Sequence, residues 1–161
     1  MRVPASDWAS LTARAERLAR KPSDPPKGHI RVLVFQLSRD RYGIELTSLA
    51  EVVPQPRIAL VPGAPPQLAG IIQVRGEISP VWELTRLLGV ADLEADNPVW
   101  VLLLRGKSGR AGLRVGSVEG IREVSPEAER GRTGEGSRHL KWVTTDSIAI
   151  LNTEELVKED T

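Results

Sequence analysis

Not one of the 161 residues is a cysteine, so a disulfide framework, a thiolate zinc site and a cysteine nucleophile are all excluded. Aromatics are nearly as scarce, with one Phe, one Tyr and four Trp, which leaves few platforms on which nucleic-acid bases could stack. Charge of one sign is missing too. A formal net charge of +1 sets up no broad basic field for nucleic acid or an anionic membrane. No apolar run approaches the roughly 20 residues of a membrane span, and no apolar signal core stands near the N-terminus. Direct membrane insertion is therefore not expected, and a cytoplasmic location is the default.

Catalytic signatures are equally thin. Gly106, Lys107 and Ser108 look like the end of a phosphate-binding loop, but that loop needs a glycine five residues earlier and a helix after it. Position 101 is Val101, and a hairpin is expected to follow. His29 and His139 stand alone, without the spacing of a metal site. Ser79, Ser117 and Ser137 lack the glycines of a nucleophile elbow. No catalytic residue, metal ligand or cofactor is assigned, and the chain reads as a non-enzyme. Arg105, Lys107, Arg110 and Arg114 cluster around one hairpin, which keeps a small-barrel nucleic-acid-binding protein as the alternative of another class. The nearby Trp100 lies in an apolar run and reads as core, so no nucleic-acid partner is expected.

What the chain does contain is the same pattern written twice, at an offset of 69 residues (101 − 32). Val32, Leu33, Val34 and Phe35 fall on Val101, Leu102, Leu103 and Leu104. Gly43, Ile44, Leu49 and Val52 fall on Gly112, Leu113, Val118 and Ile121; Ile71, Val74 and Val81 fall on Leu140, Val143 and Ile150. Such agreement reads as a duplicated unit. Each copy holds short Val/Ile/Leu runs separated by turn residues, which argues for strands. In the first copy the strands run from Ile30 to Leu37, Tyr42 to Leu46, Glu51 to Val53, Ile71 to Val74 and Ile78 to Trp82. A helical turn from Thr85 to Leu88 ends at Gly89. In the second they run from Val99 to Arg105, Ala111 to Val115, Ile121 to Val124, Leu140 to Thr144 and Ile148 to Leu151. A last helix, Glu154 to Lys158, would be capped by Asn152 with Glu155.

Units of about 60 residues are too small to cover both faces of an open sheet, so closure into small barrels is expected. The expected fold is all-β: two five-stranded β-barrels related by the internal repeat, with a short N-terminal helix. That helix is amphipathic, with Trp8, Leu11, Ala15 and Leu18 in a stripe and Ser6 and Asp7 at its start. The expected division is a helix and Pro-rich linker over 1–28 and a domain over 29–161, its first barrel about 29–89 and its second about 97–161.

The run Leu68-Ala69-Gly70-Ile71-Ile72-Gln73-Val74-Arg75-Gly76-Glu77-Ile78-Ser79-Pro80-Val81-Trp82-Glu83-Leu84, followed by Arg86-Leu87-Leu88-Gly89, resembles the signature of the CheW family of chemotaxis coupling proteins. Phe35 with Tyr42-Gly43-Ile44, Glu51-Val52, Val61 to Pro65 and Gly112 to Val118 extend the likeness over about Ile30 to Val157. The resemblance implies two SH3-like barrels, with the last strand able to pack back on the first. It also implies an adaptor joining the cytoplasmic tip of a chemoreceptor, a methyl-accepting chemotaxis protein, to the regulatory domain of a CheA-type histidine kinase. Recruitment to membrane-associated receptor arrays would follow. On matched positions, Glu51 and Arg75 would form a charged pair on the receptor side, with Leu49, Val53, Val118 and Ile121 lining a groove. Pro62, Ala64, Pro65 and Leu68 would face the kinase. Two positions and one stretch depart from the family pattern: Gly116 and Asn152 stand where acids are usual, and a polar, Gly-rich stretch from Glu127 to Arg138, expected as a mobile loop, replaces an apolar Ile-Pro-Pro segment. The departures leave, as the alternative, a divergent adaptor that binds receptor or kinase but not both.

Overall fold

A computed structural model describes residues 28–93, 99–106, 109–126, 130–133 and 139–158. The amphipathic stretch around Trp8 and the Lys107–Ser108 pair lie outside the described residues. Among the described residues, eleven strands form two sheets. The first copy supplies β1 (Ile30–Leu37), β2 (Asp40–Glu45), β3 (Leu49–Pro54), β4 (Leu68–Val74), β5 (Glu77–Glu83) and helix α1 (Leu84–Leu88). The second supplies β6 (Trp100–Gly106), β7 (Gly109–Val115), β8 (Val118–Val124), β9 (Arg130–Thr133), β10 (Leu140–Thr144), β11 (Ile148–Leu151) and helix α2 (Thr153–Lys158).

Sheet membership crosses the repeat boundary. One sheet runs β8-β1-β2-β11-β10-β9 and the other β3-β6-β7-β5-β4. Each copy thus places its opening hairpin inside the sheet built by the rest of the other copy. The ranges 29–89 and 97–161 describe the repeat in sequence, whereas each sheet takes strands from both. The symmetry is explicit in the parallel junctions: β2 meets β11 with Gly43 opposite Ile150, and β7 meets β5 with Gly112 opposite Val81. The return of the last strand to a first-copy hairpin, implied by the family likeness, is the β2–β11 pairing.

The exchange follows from the apolar pattern. A strand buried on both faces reads as a continuous hydrophobic run, and it must lie centrally in a sheet. In β1, Val32 and Val34 face one barrel interior with Val124, Trp142, Ile148 and Ile150, while Leu33, Phe35 and Leu37 face the other sheet. In β6, Val101 and Leu103 fill the second interior with Ile72 and Val81, while Trp100, Leu102 and Leu104 face back. The cluster between the sheets is the largest and is closed by Leu84 of α1 and Leu156 of α2. Truncating one of its leucines to alanine costs about 2–5 kcal/mol. Gly89, at φ 69°, terminates α1 and donates its N–H to the Thr85 carbonyl, as expected for a left-handed helix end.

Three expectations need correction. The offset of 69 holds for β5 and β11 (151 − 82) but not for β4 and β10, which match at 72 (140 − 68) by their pairing with those strands. The second hairpin is three residues shorter, so Ile71/Leu140 and Val74/Val143 are not structural equivalents. Within the Gly-rich stretch, Arg130–Thr133 is a strand paired with β10 rather than loop; the remainder, 127–129 and 134–138, lies outside the described residues. Finally, the Asn152 side-chain oxygen is buried without a hydrogen bond, so the expected capping box is not made. Helix α2 starts instead at Thr153, whose hydroxyl donates to Ser48 at 2.9 Å.

Candidate partner-binding surface

Arg75 occupies the two-residue turn between β4 and β5. Its φ of 52° and the 82° of Gly76 place both residues in the left-handed region, the mark of a tight hairpin turn whose twist matches its strands. From there the Arg75 guanidinium reaches Glu51 on β3 at 3.5 Å. β3 and β4 are opposite edges of the sheet order, so this contact reports a sheet curled until its edges meet. The pair is asymmetric in exposure: the arginine side chain is 72% exposed and the carboxylate 18%. Glu51 is anchored in the protein, and Arg75 offers its unused donors outward. Because the second copy's hairpin is shorter, it has no equivalent of this turn.

The other expected receptor-side residues divide by burial. Leu49 and Val118 are 6% and 1% exposed and belong to the inter-sheet core. Ile121 packs partly buried on that core, and Val53 on the interior of the β3-β6-β7-β5-β4 barrel. The structure therefore brings Glu51 and Arg75 together, while Leu49 and Val118 have almost no accessible surface in this conformation.

The loop after β3 carries the expected kinase-side residues. It is pinned where Ala59 and Ile71 exchange backbone hydrogen bonds at 2.9 Å, and again where Leu68 donates to Pro65 at 3.0 Å. Between these points Pro62 and Pro65 are exposed, and Ala64 and Leu68 half-buried. Gly70 lets the backbone of Ala59 approach: a Cβ there would lie 2.3 Å from the Ala59 carbonyl oxygen. Sequence reasoning missed the most exposed apolar side chains, Leu60 at 83% and Ile78 at 69%. The strand period contained a signal for Ile78, since Ser79 and Val81 point inward and the residue before them points out.

Ion pairs fasten the exchanged hairpins. Arg114 of β7 donates to Glu83 of β5 at 2.7 Å, both half-buried. In the other sheet Arg41 of β2 donates to Glu119 of β8 at 2.8 Å. Asp146 in the β10–β11 turn accepts hydrogen bonds from Arg122 and Thr144, which hold its carboxyl down at about 2. Among the described residues no group of His, Asp and Glu could hold a metal ion, and no helix is long and apolar enough to cross a membrane.

The CheW-like domain family matches residues 31–161. The chain belongs to this family. Its relatives are distant in sequence. "Chemotaxis protein CheW" of Bacillus subtilis (strain 168) is 24% identical over 74 residues, which are 46% of this chain and 47% of that protein. The match thus spans about half the length of that curated relative. Scaffolding protein TtCheW from Thermoanaerobacter tengcongensis superposes with a TM-score of 0.70 at 22% identity, over 79% of this chain and 91% of that one. At that identity the superposition shows the shared fold, the two SH3-like β-barrels of this family. Membership also frames the family-typical acid missing at Gly116. A Cβ at Gly116 would stand 2.6 Å from the Gln36 carbonyl oxygen, so this backbone path leaves no room for a side chain.

Proposed function

We propose that the protein is a non-enzymatic adaptor in a chemotaxis or related motility pathway, linking the cytoplasmic tip of a chemoreceptor to the regulatory domain of a CheA-type histidine kinase. Membership in the CheW-like family over residues 31–161 carries this reading. It is supported by a double barrel that displays the Arg75–Glu51 pair at one barrel rim and an apolar loop through Leu60 and Val61 beside the Ala59–Ile71 bridge. Arg75 and Glu51 take the receptor side, with Val53 and Ile121 as flanking aliphatics; Pro62, Ala64, Pro65 and Leu68 take the kinase side. Recruitment to membrane-associated arrays follows from binding a receptor.

The test uses purified protein with a receptor-tip fragment and, separately, the kinase regulatory domain. Arg75→Glu should weaken receptor-tip binding without lowering the melting temperature by more than the 0 to about 1 kcal/mol of an exposed pair. Adding Glu51→Arg should restore part of the binding. Leu68→Asp should act on kinase binding alone. Loss of one interaction in wild-type protein, with retention of the other, would favour the second reading, a one-partner adaptor. That reading draws on the polar stretch and strand β9 that stand where the family has an apolar segment.

A further inference from the structure

The pseudo-twofold makes each barrel a control for the other, and their hairpin ends differ in charge. In β2, Arg41 lies opposite Gln36 of β1 and pairs with Glu119. Adding 69 to Arg41 and Gln36 gives Arg110 and Arg105, and subtracting 69 from Glu119 gives Ala50. The correspondence is structural as well as numerical. Glu119 is the residue skipped where β8 shifts register against β1, and Ala50 is the residue skipped where β3 shifts against β6. A bulge re-aims its extra side chain; in one sheet that side chain is the carboxylate neutralising the hairpin arginine, and in the other it is a methyl group.

The β6–β7 hairpin therefore ends in two arginines directly opposite each other, Arg105 and Arg110, both exposed. Like charges directly opposite in a sheet are destabilising. Among the described residues, no ion pair joins either one to a carboxylate. Glu51 is engaged by Arg75. Glu77, exposed at the start of β5 and paired with Val74 of β4, forms no ion pair with either arginine among the described residues.

We propose that this arginine pair is a docking point for an acidic protein segment. Cross-strand side chains stand about 5 Å apart at Cβ, which matches the about 5–6 Å between carboxylate-bearing residues one turn apart on a helix. Each guanidinium fork takes a carboxylate in bidentate fashion. The surface does not suit a nucleic-acid strand, because Phe35, Tyr42, Trp100 and Trp142 are buried and Trp82 is packed on the inter-sheet core, leaving no stacking platform among the described residues. The inference stands on the asymmetry of the two copies, independently of the adaptor reading.

The probe is a fluorescein-labelled, alanine-based helical peptide with glutamates four residues apart, titrated with full-length protein and followed by anisotropy. Binding should weaken by about tenfold in Arg105→Ala/Arg110→Ala and fall with added salt. It should be unchanged in Arg39→Ala/Arg57→Ala, two exposed arginines elsewhere, and absent for the same peptide carrying glutamine. Ala50→Glu, which supplies the counter-ion present in the other copy, should also weaken binding while the protein stays folded by circular dichroism. Equal binding by the double variant, no binding by wild type, or tighter Arg105/Arg110-dependent binding to oligo-dT or phosphatidylglycerol vesicles would overturn the proposal. A receptor-tip complex that forms normally in the double variant leaves the adaptor reading intact.

Discussion

Gly43 and Gly112 are twins in the repeat, each placed where an exchanged hairpin meets a parallel strand, and alanine substitution should separate them. At Gly112 a Cβ would lie 2.8 Å from Val101 Cγ1, 3.2 Å from Val81 Cγ2 and 3.4 Å from the Pro80 carbonyl oxygen. Both valines are fully buried, and their branched side chains have little rotamer freedom with which to retreat. Overpacking of this kind costs about 1–3 kcal/mol, against a gain of about 0.4–1 kcal/mol from a less flexible unfolded chain. Gly112→Ala should therefore lose about 1–2 kcal/mol. At Gly43 the first contact is Ile150 Cδ1 at 3.0 Å, the far end of a flexible side chain, and the next are at 3.5 and 3.6 Å. There the two effects nearly cancel, and Gly43→Ala should stay within about 0.5 kcal/mol of wild type. Urea unfolding with an unchanged slope measures the difference, and the melting temperatures should diverge by about 2–4 °C per kcal/mol. Equal destabilisation at both sites, or a neutral Gly112→Ala, would refute the assignment of a tighter interior to the β3-β6-β7-β5-β4 barrel.

Removing the half-buried Arg114–Glu83 pair by Arg114→Ala should cost about 1–3 kcal/mol, more than an exposed pair, because the Glu83 carboxylate is left partly desolvated; chemical denaturation measures it. Gly116→Asp, which installs the family-typical acid, should destabilise by more than 1 kcal/mol as the new Cβ meets the Gln36 carbonyl, roughly the cost of an overpacked site, and a melting temperature at or above wild type would count against that geometry. For Asp146 the carboxyl lies below its ordinary 3.8, at about 2, so its stabilising contribution is complete above pH 3.8 and lost as pH falls toward 2. The exposed setting limits that contribution to at most about 1 kcal/mol. The stability difference between wild type and Asp146→Asn should accordingly shrink between pH 4 and pH 2, and a difference independent of pH would contradict it.

Local chemistry made much of the molecule legible in sequence. The alternation and turn residues gave nearly every strand, Gly89 gave the end of α1, and the conformational demand of a tight turn explains Arg75-Gly76. The continuous runs Val32 to Phe35 and Val101 to Leu104 announced strands buried on both faces. Other features depend on which strands meet in space. A hydrophobic run specifies that it must be covered but not by which copy, so the exchange of hairpins between sheets is decided by tertiary packing. The three-residue shortening of the β10 hairpin was hidden because apolar residues recur every second position, and a false match at 69 satisfies the eye as well as the true one at 72. Burial of Leu49 and Val118, exposure of Leu60 and Ile78, and the missing counter-ion of Arg110 all arise from residues far apart in the chain. Sequence by itself determined nearly every strand, most of the repeat and the family; only the folded arrangement decided which face each strand shows and which charges find partners, because both are set by long-range contacts that no local pattern encodes.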